Sequence, residues 1–247
     1  ACDTIRENQA RGMMPVTKWP LFQTDIRHFD FKSVGKIDLL AGGHEVLREL
    51  IGYIHSHHTG VPVIVDCKIG DTDNTMTAYV HNIFDLLEAD GVVANPYMGD
   101  DVMMPLAELT DKAVVVLVKT SNLSGGIIQD VLLENGQPLW RHILDLVVNR
   151  WNLNNNMVPV LSSTAGLDMA ALRPHIPDSM PILLAGIGAQ GGTHADLHHL
   201  LNSQGIGVFV NSSRGILYPA SQQPWQVAVE AAAIELKETL NNQRRVE

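Results

Sequence analysis

Two carboxylates and an ammonium fall within six residues of this chain, Asp66-Cys67-Lys68-Ile69-Gly70-Asp71, and Thr75 follows four residues later. The segment before them, residues 61–65, is Val-Pro-Val-Ile-Val and reads as a buried strand. Side chains alternate along a strand, so Asp66 and Lys68 share one face and Cys67 takes the other. Charges at the end of a buried strand are costly unless they find partners. The cluster is therefore either a self-satisfied salt-bridge network or a set of groups held for catalysis.

A second chemical feature is Ala185-Gly186-Ile187-Gly188-Ala189-Gln190-Gly191-Gly192, directly after an apolar segment at 181–184. Glycines let backbone amides approach a ligand, and a glycine-rich loop feeding a helix N-terminus can cradle a phosphate. A tight strand-to-helix turn is the plainer reading. The next apolar segment ends in Asn211-Ser212-Ser213-Arg214-Gly215. In an α/β barrel the last two loops lie side by side and commonly hold phosphate. The planar fork of Arg214 suits such a dianion. Lys119-Thr120-Ser121-Asn122 ends another apolar segment and offers hydroxyls and an amide, either to a ligand ring or to cap the following turn. Asn95-Pro96-Tyr97-Met98-Gly99-Asp100 is equally two-sided, because Pro96 enforces an extended turn that structural duty alone could explain.

These groups need elements to hold them. Short β-rich runs occur at 61–65, 91–94, 113–118, 157–161, 181–184 and 206–210, with a seventh at 28–32. Between them lie helical stripes: Val46, Leu47, Leu50, Ile51 and Ile54, then Tyr79, Val80, Ile83, Leu86 and Leu87. A last helix opens around Ser221 to Pro224 and continues through Trp225, Val229, Ala232, Leu236 and Leu240. Strands separated by helices imply parallel pairing through right-handed crossovers. Seven strands, in a chain of 247 residues, approach the eight of a TIM (β/α)8 barrel in one domain spanning 1–247. Residues 1–27 read as a divergent N-terminal arm. Residues 13–22 hold two prolines and no clean alternation, so the first β/α unit stays open and an open doubly wound sheet is the alternative.

Composition narrows the function. Apolar residues make up 45% and charged residues 18%, which suits a large core. A formal net charge of −10 disfavours nonspecific binding to nucleic acid or to an anionic membrane. Cys2 and Cys67 show neither a zinc spacing nor a disulfide framework, so a cytoplasmic setting is expected. No apolar run nears the roughly 20 residues of a spanning helix, and no secretory signal is read at the N-terminus. His55, His57 and His58, and likewise His194, His198 and His199, read as solvated helix faces rather than metal ligands. Cys67, the Met13-Met14 and Met103-Met104 pairs, Trp140 and Trp151 read as packing residues.

Taken together, the motifs resemble the orotidine 5′-phosphate decarboxylase family, most closely its longer bacterial form. Asp66, Lys68, Asp71 and Thr75 match its DxKxxD…T signature. The likeness continues through the turns at Asn95, Lys119, Gly186 and Asn211, in the family's order, from about residue 43 to 220. The resemblance implies decarboxylation of orotidine 5′-monophosphate to uridine 5′-monophosphate in pyrimidine synthesis. It further implies a homodimeric barrel with shared active sites and neither metal nor organic cofactor. Lys68 would protonate C6, Asp66 would lie near the substrate carboxylate, and Asp71 and Thr75 would reach into the neighbour's site. Lys32, or failing it Lys36, would complete the charged array. Ser121 and Asn122 would meet the pyrimidine, and Gly186, Gly188, Gln190, Gly191 and Arg214 would hold the phosphate. The chemistry is coherent: a fixed ammonium stabilises negative charge developing at C6, and flanking carboxylates keep that ammonium charged. Two alternatives stand: a magnesium-dependent sugar-phosphate lyase of the same superfamily, and a non-catalytic binder of nucleotide phosphate.

Overall fold

A computed structural model describes residues 43–186 and 197–243. Six strands, β1 (Ile64–Ile69), β2 (Gly91–Ala94), β3 (Ala113–Leu117), β4 (Met157–Ser162), β5 (Ile182–Ala185) and β6 (Val208–Val210), form one sheet. They lie in chain order, each parallel to the next. A doubly wound sheet reverses its order at a switch point. No reversal occurs among the described strands, and consecutive order with intervening helices is the arrangement of a (β/α)8 barrel. The strand expected at 28–32, the segment 13–22 and the arm 1–27 lie outside the described residues.

Alternation along the strands sorts their side chains into two layers. Val65, Val92, Ala94, Val114, Val116, Leu161, Ile182, Leu184 and Val208 join helix residues such as Ile51, Ile83 and Trp151 in the layer under the helices. Val93, Val115, Val158 and Val160, with Ile64, Leu117, Leu183 and Phe209 against them, fill the opposite face, the barrel interior. A sheet covered on both sides explains why these strands read as continuous apolar runs rather than as alternating ones.

One strand differs from expectation. The run expected at 61–65 forms its ladder only from Ile64 and continues through the charged cluster to Ile69. Pro62 has no N–H to give, and Val61 N–H donates to the His58 carbonyl in a turn (3.1 Å). The Val63 amide is taken by Asp90 Oδ2 (2.7 Å). Pairing with β2 therefore starts one residue later, at Ile64 opposite Gly91.

The helices follow the apolar stripes. Gly43–His57 buries Ile51 and Ile54. Asp73–Val80 runs on as a π-helical segment, His81–Leu86, burying Met76, Ile83 and Phe84 but leaving Tyr79 and Leu86 exposed. The final helix, Trp225–Gln243, accepts its first-turn bond at the Pro224 carbonyl and buries Val229 and Leu240. Trp151 and Met103 are buried as expected. His55 departs from the solvated reading, for its Nε2 lies 2.9 Å from the buried carboxylate of Asp90. Among the described residues no helix is long and apolar enough to cross a membrane.

Candidate active site

The charged cluster sits at the C-terminal end of β1, and the sheet bends to put it there. Val65 pairs with Val92 and Ile69 with Ala94, so β1 spends four steps where β2 spends two. The surplus forms a bulge around Asp66, Cys67 and Lys68, of the kind that re-aims side chains beside active sites. Lys68 takes a left-handed backbone, φ 51°, which a long side chain adopts only when its surroundings enforce it. Its Nζ donates to Asp66 Oδ1. Both partners stay partly open to solvent, 36% for Lys68 and 53% for Asp66, as groups that meet a ligand must. Cys67 packs against the helix-side core, and burial pushes its thiol up, which makes it an inert filler.

Beyond the bulge, Asp71 accepts from the Thr72 amide (2.8 Å), and Thr75 stands exposed in the first turn of Asp73–Val80. Gly70 lets the end of β1 press against the end of β2, where Asn95 N–H donates to Ile69 O at 2.7 Å. Asn95 itself accepts from Tyr97 N–H and caps a short 3-10 turn, Pro96–Met98. Structural duty accounts for it.

The turn after β3 separates residues that the sequence grouped together. Thr120 is committed: its amide donates to Gln129 Oε1 (3.1 Å), and its hydroxyl receives Gln129 Nε2 (2.7 Å) and donates to Asn122 Oδ1 (2.6 Å). Asn122 Nδ2 donates to Ser124 (3.2 Å), so both ends of that amide serve the turn. The Ser121 hydroxyl has no protein partner among the described residues, while its carbonyl accepts from Thr164 Oγ1 (3.4 Å). Thr164 is braced by Ser162, its amide donating to Ser162 Oγ (3.1 Å). Sequence reading missed Thr164, Gln129 and Asp130 as supports of this turn. The only signal was the run of hydroxyls at Ser162-Ser163-Thr164, because Gln129 and Asp130 meet the strand end only after the chain loops back.

At the far side of the described arc, β5 is followed by Gly186, whose φ is 92°. Gly188, Gln190 and Gly191 lie outside the described residues, as do Lys32 and Lys36. Asn211 N–H donates to Leu184 O (3.0 Å), which continues β5–β6 pairing to the sheet's end. The helix Ser213–Leu217, which carries Arg214, starts immediately beyond. Gly186 and the helix that carries Arg214 thus follow neighbouring strands, at the same end of the sheet as Lys68 and Ser121.

Elsewhere, a cleft of about 670 Å³ is lined by Arg173, His175, Asp178, His199 and Ser203. These residues precede β5 and β6, at the opposite end of the strands. Three of them are tied together: Arg173 donates to the carbonyls of Pro177 and Asp178, and Asp178 accepts from the Ser203 amide (2.8 Å). That end of a barrel serves stability. Among the described residues no group of three or more His, Cys, Asp or Glu side chains is placed to hold a metal ion.

Known proteins resemble this chain in sequence and in fold. Residues 28–228 match the family model described as Orotidine 5′-phosphate decarboxylase / HUMPS family. The orotidine 5′-phosphate decarboxylase of Bordetella pertussis is 37% identical over 196 residues, covering 79% of this chain and 72% of that protein. The enzyme of the same name from Cupriavidus metallidurans is 39% identical over 199 residues, covering 80% and 72%. Among solved structures, that of Leishmania donovani OMP decarboxylase superposes with a TM-score of 0.71 at 32% identity, covering 83% of this chain and 76% of that one. A family match over most of the chain, with relatives alike in sequence and in fold, makes this chain a member of the orotidine 5′-phosphate decarboxylase / HUMPS family.

Proposed function

We propose that this protein decarboxylates orotidine 5′-monophosphate to uridine 5′-monophosphate, with Lys68 as the proton donor. The observation that carries the reading is the Lys68–Asp66 pair on the open end of β1, inside a chain matched to the family from 28 to 228. The bond from C6 to the carboxylate carbon breaks, carbon dioxide leaves, and the electron pair stays on C6. Lys68 Nζ donates its proton there, and solvent restores it afterwards. An ammonium already fixed in place stabilises that developing charge without reorganising. Asp66, beside the substrate carboxylate, holds the ammonium and favours carbon dioxide's departure. Asp71 and Thr75 complete the neighbouring subunit's site, and Lys32 or Lys36 completes the charged array.

Ser121 supports the reading at the base, with a hydroxyl that has no partner among the described residues, while Asn122 holds the turn. Gly186, Gly188, Gln190, Gly191 and Arg214 hold the phosphate, whose remote binding orients the ring. The active form is a cytoplasmic homodimer. What supports a second copy is apolar exposure on segments that follow the strand ends: Tyr79 after β1, Tyr97 and Met98 after β2, Leu123 and Ile127 after β3.

An ultraviolet assay of orotidine monophosphate tests the proposal, run with and without a magnesium chelator. Steady loss of substrate in both conditions is expected. Loss only with magnesium would favour a metal-dependent lyase. Tight binding of uridine monophosphate with no loss of substrate would favour a non-catalytic binder.

A further inference from the structure

Among the described residues Lys119 is the one buried lysine, 5% exposed at the C-terminal end of β3. Its amide donates to Val160 O (3.0 Å), so the backbone there is still locked to β4. The ammonium donates to Asp130 Oδ1 at 2.6 Å, eleven residues on. A buried ammonium without a partner is strongly disfavoured, so the carboxylate's position is tied to that of the strand. Immediately beside this bond, Gln129 receives the Thr120 amide and returns its own amide to the Thr120 hydroxyl. Two successive residues at the strand end, 119 and 120, are thus pinned to two successive residues at the end of Gly126–Gln129. Ser121, whose hydroxyl has no partner among the described residues, is the first residue beyond the pins.

We infer that the Lys119–Asp130 ion pair, together with Thr120–Gln129, is a clasp that positions Ser121 for the base of the nucleotide. Lys119 is a positioning residue and touches no reacting atom. The inference rests on the proposed decarboxylase reading, which supplies the pyrimidine that Ser121 meets. A clasp of this kind has a distinctive consequence. It governs recognition of the base and leaves the phosphoribosyl end of the site unaffected.

Binding of uridine monophosphate and of ribose 5-phosphate is compared by calorimetry in wild type, Asp130→Asn, Lys119→Met and the double variant, alongside kcat and KM for orotidine monophosphate. Asp130 is half exposed, and methionine fills the lysine's volume without a charge, so both variants are expected to fold, as circular dichroism will report. Each single variant should weaken uridine monophosphate and raise KM by about tenfold, the size of one lost charge-assisted contact, with ribose 5-phosphate affinity unchanged. The double variant should be no worse than the poorer single one, because one interaction is lost in all three. Equal weakening of both ligands, or unchanged affinity in folded variants of an active wild type, would overturn the clasp alone. If one single variant fails to fold, the other decides, and Lys119→Met leaves no buried ammonium unpaired. A wild type that neither binds uridine monophosphate nor consumes orotidine monophosphate would overturn the decarboxylase reading, and the clasp with it.

Discussion

Gly70 and Asn95 are in such close contact that a β-carbon on Gly70 would lie 2.7 Å from the Asn95 carbonyl oxygen and 3.3 Å from its β-carbon. The obstacle is backbone, locked by the Asn95 N–H bond to Ile69 O, and cannot swing aside. This contact seats the end of the bulge that presents Lys68. Gly70→Ala should therefore cost about 1–3 kcal/mol in urea unfolding, as overpacking does, and lower kcat/KM as well. A variant as stable as wild type would mean that the strand ends move apart freely.

Lys68→Ala removes the ammonium but none of the groups assigned to the phosphate or the base. Turnover should fall by at least ~10³-fold, while uridine monophosphate binds within a few-fold of wild type. Stopped-flow and calorimetry on the same preparation separate the two effects. Retained turnover would remove Lys68 from its role.

Ser121 and Thr120 should respond differently. Ser121→Ala loses one ligand hydrogen bond and leaves the turn's internal bonds intact, so KM should rise by roughly 3–10-fold with little change in thermal midpoint. Thr120→Val breaks two bonds within the turn and should lower the thermal midpoint as well as affinity.

Asp100 sets an acid-side dependence. The Arg150 guanidinium, and after it the Trp151 indole N–H, hold its carboxyl well below the usual carboxylate range. A carboxyl depressed in the folded state stabilises fully above its unfolded value, near about 4, and loses that contribution as pH falls toward the folded value. Asp178, held down by the Ser203 hydroxyl and amide, acts in the same direction. Thermal midpoints measured from pH 6 down to about 2.5 should therefore drop less steeply for Asp100→Asn than for wild type. Parallel slopes would show that this pair does not contribute.

The sequence by itself determined the number and order of the described strands, because alternating apolar runs and helical stripes leave few other ways to bury a core this size. It also placed Asp66, Lys68, Ser121, Gly186 and Arg214 at strand ends, since each directly follows an apolar run. The tertiary structure alone decided how those ends are aimed. The bulge in β1 arises from pairing against β2, which no local pattern encodes, and it breaks the regular alternation that the sequence alone implied for Asp66, Cys67 and Lys68. Thr120, Ser121 and Asn122 look equivalent in one dimension. They differ once Gln129 returns to occupy Thr120, which in turn occupies Asn122, and the middle hydroxyl keeps no partner among the described residues. Lys119 and Asp130 are eleven residues apart, and their pairing depends on the loop folding back over a buried ammonium. Hydrophobic periodicity is local and survives in the sequence. Hydrogen-bond partnership across a loop is a property of three-dimensional closure, so only the folded chain could assign it.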